Sequence, residues 1–455
     1  YLSRIGLDGG SLPLEVKLVN TADGSVHDIA SANVTSPVYQ ENVVTFTPEQ
    51  DGIYQLRFDV RDNKAIDYRI YIGRFRLTEH LACDLSAEKI VLPSRYVSDI
   101  RSYPVGLVIR NNGSAAVNSF TMVAASESIG TRTLQFDNVA LEPDTEYTVY
   151  FNDDFVFSGS TDEQLTVSVS TYGDEYAANN SVSELLTYIE PYSLPYSPLP
   201  AEALERMAAF NLNRDIFAFT PDRSMGVGYI YLSDGSTEAN DYVATPAINL
   251  TADKPVRVSF SYYVLEGDST DIDVFAYNAA TDTRVPVIEL PQSTRNDMSR
   301  YIGFFSVPVD GSYSICLQPR GNTRSLFINA SVTLAEADVL PDLAVTRLLS
   351  HSGAAVLGDS ERVEVEFVGN SSQGVEGVPF ELEVNGRTYH TQYINYTSQC
   401  SDGETYRVAF NGVDLSAPGT YQAVCRAVVP LDLTPEDNEL TFEITSLPVV
   451  DVAVV

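Results

Sequence analysis

Two groups of acidic residues have the types and spacing to bind a metal ion. One lies within residues 266–273, across a predicted loop and the start of a strand, and the other lies just before a predicted strand at 247–250. Calcium takes roughly six to eight oxygen ligands on irregular backbone, so both groups are candidate calcium sites. Neither has the spacing of an EF-hand loop, and the alternative for each is a solvated acidic loop. The candidate ligands are Asp234, Glu238, Asp241, Asp268, Asp271 and Asp273.

Residues that could support catalysis are scattered along the chain. The four histidines, at positions 27, 80, 351 and 390, are not near a GxSxG motif, an HExxH motif or a cysteine–histidine pair. With 62 acidic residues, neighbouring carboxylates arise by chance and do not indicate a glycosidase. We therefore predict a protein without catalytic residues, and not an enzyme.

Tyrosine-rich segments are a candidate surface for sugars, which stack on aromatic rings. The chain has 27 tyrosines and no tryptophan, and tyrosines that alternate along a strand are also typical of packing within a sheet. The sequence therefore leaves the ligand-binding residues unknown. The tyrosines concerned are Tyr229, Tyr231, Tyr262, Tyr263, Tyr393 and Tyr396.

The elements that must position these residues are β-strands. Val363, Val365 and Phe367 alternate with Glu364 and Glu366, and the same period of two recurs along the chain. This period is typical of antiparallel strands with one packed face and one wet face. One helix is predicted at 201–210, opened by a proline at 200.

Charge and cysteine content exclude several classes of protein. The net charge of −34 repels nucleic acid and anionic membranes, and no apolar run approaches the ~20 residues that cross a bilayer. Four cysteines are too few for a disulfide scaffold. Cys400 and Cys425 could pair, although the inward position of Cys425 on its strand favours a buried thiol. The composition fits a secreted protein and is compatible with calcium.

The chain repeats itself, and the repeats define its units. Residues 44–58 return as 303–317, with Asp51 falling on Asp310 and Tyr54 on Tyr313. A proline-rich linker spans 190–200. The predicted divisions are a first unit at 1–80, a second at 81–190, a third at 191–338, a fourth at 339–447, and the start of a further segment at 448–455.

The second and fourth units share several short sequence motifs. The fourth has an opening Pro341-Asp-Leu343, a late Pro418-Gly-Thr-Tyr421 and a closing Asp437-Asn-Glu-Leu-Thr441. In these motifs it resembles the bacterial cell-adhesion-related domain called CARDB, and the second unit resembles it more weakly. Their size and pattern suit a seven-stranded immunoglobulin-like sandwich.

The third unit resembles the cleaved-adhesin or choice-of-anchor jelly roll of secreted Bacteroidetes proteins, chiefly through Thr245-Pro-Ala-Ile-Asn-Leu250. The first unit resembles only the second half of that jelly roll, so we expect the chain to be a piece of a longer protein. The resemblance argues against an inherited calcium site, because the late strand has Asn329 and Ala330 where the family has acids.

The sequence therefore predicts an all-β, multi-domain protein in which jelly-roll sandwiches alternate with immunoglobulin-like β-sandwiches. The resemblance implies a non-catalytic bacterial adhesin, secreted or on the cell surface, that binds an extracellular glycan or protein ligand. Two alternatives stay open: an accessory region of a larger secreted peptidase or glycan-degrading enzyme, and a purely structural stalk. The oligomeric state is unknown, and no cofactor other than calcium is expected.

Overall fold

A computed structural model describes residues 2–5, 12–35, 39–60, 69–73, 76–77, 81–158, 160–214, 217–222, 227–232, 240–264, 270–293, 299–320, 325–329, 332–393, 400 and 403–449. Strands dominate these residues, which confirms the prediction of a multi-domain all-β sandwich protein. One α-helix is present in this part of the chain, α1 (Pro200–Arg206). Over the same residues, no helix combines the length and apolar character needed to span a membrane.

The first unit contains a three-stranded antiparallel sheet in the order β3-β2-β4, and a separate pair, β1-β5. Its described core is small: Leu14 and Val34 are buried, with Phe58 and Ile70 packed against them. The strands are β1 (Leu2–Ile5), β2 (Leu12–Asn20), β3 (Val26–Val34), β4 (Tyr54–Val60) and β5 (Arg69–Ile72).

The second unit is a sandwich of a three-stranded sheet, β12-β9-β6, and a five-stranded sheet, β11-β10-β14-β15-β7. Leu107 and Ile109 are fully buried while Val108 and Arg110 are partly exposed, as the period of two requires. The strands are β6 (Leu85–Val91), β7 (Tyr96–Val97), β8 (Ser102–Tyr103), β9 (Gly106–Asn111), β10 (Val117–Ser126), β11 (Gly130–Leu141), β12 (Glu146–Tyr150), β13 (Phe155–Val156), β14 (Glu163–Ser170) and β15 (Ser181–Tyr188).

The third unit is a larger sandwich. One sheet has the order β16-β19-β25-β22-β23, with β20 also on β25, and the other has the order β17-β18-β26-β21-β24, with β27 also on β21. The strands are β16 (Ala208–Phe210), β17 (Phe217–Asp222), β18 (Val227–Leu232), β19 (Tyr242–Ala244), β20 (Ile248–Leu250), β21 (Val256–Val264), β22 (Thr270–Asn278), β23 (Thr283–Ser293), β24 (Ser299–Phe305), β25 (Gly311–Arg320), β26 (Ser325–Asn329) and β27 (Thr333–Glu336).

The fourth unit has sheets β28-β29-β32 and β31-β30-β33-β34. This is the arrangement of β6-β9-β12 and β11-β10-β14-β15 in the second unit, so the two immunoglobulin-like units share one topology. The strands are β28 (Leu343–Leu348), β29 (Glu361–Gly369), β30 (Val378–Val384), β31 (Arg387–Tyr393), β32 (Glu404–Val413), β33 (Gly419–Ala427) and β34 (Glu439–Ser446).

The repeat between the first and third units is also structural. The order β3-β2-β4 in the first unit corresponds to β23-β22-β25 in the third. The matched tyrosines make the same bond: Tyr54 donates its hydroxyl to the carbonyl of Gln50 at 2.8 Å, and Tyr313 donates to that of Val309 at 3.0 Å.

Two predicted segments differ from the structure. The helix predicted at 201–210 ends at Arg206, because Ala208–Phe210 pairs with Tyr242–Ala244 as a strand of the third unit. The proline-rich linker packs as part of that unit. Tyr196 is 2% exposed and exchanges backbone hydrogen bonds with Leu334.

A buried arginine joins the second unit to the third. The Arg101 side chain is 4% exposed, and it donates Nε to Asp99 Oδ1 at 2.8 Å within its own unit. Its Nη2 crosses the junction to Ser314 Oγ at 2.6 Å. The guanidinium also lies over the rings of Phe210 and Tyr277, at 4.9 and 5.3 Å. Both units therefore share one charged, hydrogen-bonded contact shielded from water.

A buried glutamate joins the third unit to the fourth. Glu376 exchanges backbone hydrogen bonds with Ile302, at 2.9 and 3.2 Å, and accepts Arg300 Nε at 2.7 Å on its carboxylate. Gly377 lies so close to this strand that a Cβ there would stand 2.3 Å from the Arg300 carbonyl. The side chain of Phe304, on β24 of the third unit, packs in the core of the fourth unit.

Candidate functional site

The structure describes three of the six predicted calcium ligands. Asp234, Glu238 and Asp268 lie outside the described residues. Asp271 and Asp273 are on β22, and Asp273 pairs with Arg320 on the adjacent β25. Burial raises the pKa of Asp273, and the Arg320 guanidinium opposes that shift.

Asp241 lies elsewhere in the same sheet. It is fully buried, and its Oδ1 accepts the backbone N–H of Leu212 at 2.6 Å. β19, which follows it, and β22, which carries Asp271 and Asp273, lie on opposite sides of β25. The structure thus brings Asp271 and Asp273 together but not Asp241 with them, and the two calcium sites stay predictions.

A different acidic cluster forms in the fourth unit. Asp342, Asp432 and Asp437 each offer a carboxylate oxygen within 4.8 Å of the others. They are the one such trio of metal-ligating side chains among the described residues. Asp342 precedes β28, Asp432 lies just before a 3-10 helix, Pro435–Asp437, and Asp437 is the last residue of that helix, before β34. These three residues could hold a metal ion.

Hydrogen bonds hold Asp432 in the cluster. Its Oδ2 accepts the N–H of Leu343 at 2.9 Å, and its Oδ1 accepts that of Thr434 at 2.8 Å. Burial raises the pKa of Asp432 above the usual 3.8, the two backbone hydrogen bonds oppose that shift, and the neighbouring Asp342 charge adds to it. The pKa of Asp437 is raised by burial, by the Asp342 charge and by Glu436.

Sequence reasoning missed this cluster, although the signal was present. Asp342 and Asp437 both stand in motifs that recur between the second and fourth units. The motifs are far apart in sequence, and only the pairing of the strands brings their carboxylates together. A search for acids in both motifs would have found them.

The histidines lie in structural contacts where they are described. His351 has Ser350 Oγ 2.8 Å from Nδ1 and Glu361 Oε2 3.1 Å from Nε2. These are the residue types of a hydrolase triad, but Ser350 Oγ also accepts the N–H of Glu364 at 3.0 Å. Glu361 accepts the N–H of Gly358 as well. The group therefore fastens a loop to β29.

His27 is 3.6 Å from Glu49 and His390 is 3.8 Å from Glu381, while His80 lies outside the described residues.

The tyrosines predicted as a sugar-binding surface are only partly described. Tyr262 is 1% exposed, in the core of the third unit, so its ring is not accessible to a sugar. Tyr263 is only partly buried. Nothing is described of the side chains of Tyr229, Tyr231, Tyr393 and Tyr396.

All four cysteines are free thiols, so Cys400 and Cys425 do not form a disulfide. Cys425 is fully buried, and burial raises its pKa to about 12. Cys316 is also fully buried, with its pKa raised to about 12 by burial. Cys425 packs in the core of the fourth unit, and Cys316, on β25 of the third unit, packs in the cluster that contains the core of the second unit.

Comparison with known proteins gives weak likenesses only. No family model matches the chain, and no curated protein does. An enzymatically active domain of a bacteriophage CBA120 tailspike protein is 11% identical, with a TM-score of 0.24 over 30% of this chain and 20% of that chain. A xylan-binding domain from Paenibacillus barcinonensis is 11% identical, with a TM-score of 0.19 over 27% of this chain and 86% of that chain.

The adhesin domain of Epf from Streptococcus pyogenes is 11% identical, with a TM-score of 0.19 over 54% of this chain and 90% of that chain. This chain therefore spans about a fifth of the tailspike domain and most of the other two. Similarity this low assigns neither a family nor an activity to the protein.

Proposed function

We propose that the protein is a non-catalytic, adhesin-like component of the bacterial cell exterior. The jelly-roll third unit presents a surface to an extracellular carbohydrate or protein ligand. The second and fourth units flank it and act as spacers. The work is therefore display of a binding surface, and no bond is made or broken.

The pair of buried junctions is the observation that carries this proposal. A flexible tether would join its modules through exposed, polar linkers that few contacts cross. Here Arg101 crosses one junction, Glu376 lies in the other, and the proline-rich segment packs into the third unit. Such contacts suit a stiff support that holds a binding surface at a fixed distance and angle.

Binding arrays test the proposal. The intact chain is applied to glycan and matrix-protein arrays, with calcium and with chelator. We expect at least one ligand to bind the intact chain, and soluble ligand to compete for it. Complete failure to bind under both conditions would contradict the adhesin reading and favour the purely structural stalk.

A further inference from the structure

The second and fourth units place polar groups at equivalent positions. In the fourth unit, Asp432 Oδ2 accepts the N–H of Leu343 at 2.9 Å. In the second, Asp174 Oδ2 accepts the N–H of Leu85 at 3.3 Å. Both leucines open the first strand of their sandwich, so Asp174 corresponds to Asp432, and Asp84 to Asp342.

The correspondence continues through the 3-10 turn. The carbonyl of Asn180 accepts the N–H of Val169 at 2.8 Å, and that of Asn438 accepts the N–H of Ala427 at 2.9 Å. Asn179 follows Asp174 by five positions, and Asp437 follows Asp432 by five positions. Asn179 in the second unit therefore stands where the fourth unit has an aspartate.

This one difference changes the electrostatics. In the second unit, Asn179 Nδ2 donates to Asp84 Oδ1 at 2.8 Å, and Asn180 Nδ2 donates to Asp174 Oδ2 at 3.0 Å. Each carboxylate therefore has an amide donor. In the fourth unit, Asp437 has no proton to donate to Asp342 when both are ionised. The buried Oδ1 atoms of Asp342 and Asp437 have no hydrogen-bond partner in the structure.

A buried amide oxygen is carried by the residue that follows Asp437. The Asn438 residue is 8% exposed, its side chain hydrogen-bonds to Asp432, and its buried Oδ1 has no partner. The Asn180 oxygen in the second unit is also without a partner. An amide oxygen is thus available in both units, and only the fourth adds a third carboxylate.

From this geometry we infer that Asp342, Asp432, Asp437 and Asn438 form a calcium site in the fourth unit. Calcium binds oxygen at roughly 2.3–2.6 Å, so ligands on opposite sides of the ion stand about 5 Å apart. The carboxylate oxygens lie within 4.8 Å of one another, which matches that span. The ion neutralises the three acids, two of which, Asp342 and Asp437, lack the amide hydrogen bond that Asn179 makes to Asp84 in the second unit.

Reciprocal substitution tests this site in the intact chain. Calcium chloride is titrated calorimetrically into wild type, Asp437→Asn and Asn179→Asp, at about physiological salt to screen weak surface binding. We expect Asp437→Asn to weaken the fourth-unit site at least about tenfold, because one charged ligand is lost. Asn179→Asp should add a second site, since it gives the second unit the same three acids.

Controls separate this site from general attraction to an acidic surface. Glu436→Gln removes an exposed neighbouring charge and should leave the calcium affinity of the fourth-unit site unchanged. Magnesium chloride in place of calcium should bind at least about tenfold more weakly, because magnesium demands a stricter octahedral geometry. Circular dichroism confirms that each variant is folded. The inference is overturned if wild type binds no calcium, or if Asp437→Asn and wild type give the same isotherm.

Discussion

The second and fourth units share one immunoglobulin-like topology but hold the jelly-roll unit with opposite charges. The second contributes the buried Arg101, and the fourth contributes the buried Glu376. They differ again at the base of the first strand, where Asn179 corresponds to Asp437. The comparison shows that the sandwich core fixes the topology, while a few buried polar residues decide what each copy contacts.

Loss of the arginine at the first junction is the largest effect expected. Arg101→Met leaves Asp99, whose side chain is 8% exposed, as a buried charge without its cation. Removing one partner of such a pair costs about 3–5 kcal/mol of unfolding free energy. Denaturant unfolding should show that loss. The matched control is Arg110→Met, which breaks an exposed pair with Glu146 and should cost under about 1 kcal/mol. Equal losses would contradict the role given to Arg101.

The second junction should be weaker, because its cation keeps access to water. Glu376→Gln retains the shape of the side chain but removes its charge, and the Arg300 side chain is 43% exposed. We expect a loss of about 1.5–3 kcal/mol of unfolding free energy, the range for a hydrogen bond to a charged group. The same unfolding measurement checks it, with Glu383→Gln as the control on an exposed pair. If Glu376→Gln lowers the unfolding free energy no more than the control does, the buried Glu376 carboxylate does not stabilise this junction.

The reciprocal variants should change stability in opposite directions in chelator. Asn179→Asp removes the donor to Asp84 and adds a like charge, so it should lower the unfolding free energy by about 1 kcal/mol. Asp437→Asn should raise it by a similar amount, because the new amide can donate to Asp342. Thermal melts in chelator check both signs, and calcium should abolish or reverse the advantage of Asp437→Asn.

The smallest effect concerns pH. The folded-state pKa values of Asp432 and Asp437 are raised above 3.8, so the folded fourth unit holds protons that the unfolded chain releases. This contribution is fully present below pH 3.8 and is lost as pH rises through the raised values. In chelator, the Asp437→Asn advantage should therefore shrink as pH falls from 7 towards 4. An advantage independent of pH would contradict the mutual repulsion of these acids.

The strands were predictable because apolar and polar residues alternate with a period of two over short stretches of the sequence. Val363, Val365 and Phe367 are fully buried, as their alternation with glutamates requires. The junctions were not predictable by that route. Arg101 and Ser314 are 213 positions apart, and nothing in either local pattern indicates that they meet.

The acidic cluster is an intermediate case. Asp342 and Asp437 stand in motifs that recur in the second unit. A repeated motif indicates that two units are related, and it does not indicate which motifs lie close together in the fold. The predicted helix failed at its end because Ala208–Phe210 has a strand partner, and tertiary pairing overrides a local preference for helix.

The distance between the second and fourth units tests the central claim, a stiff support built from buried junctions. Spin labels at Leu185→Cys and Gln422→Cys occupy exposed positions, in a Cys83→Ser background that removes the one cysteine that is not buried. Pulsed electron paramagnetic resonance should give a single narrow distance distribution, which broadens in Arg101→Met and Glu376→Gln. A distribution already broad in the parent chain would contradict the account.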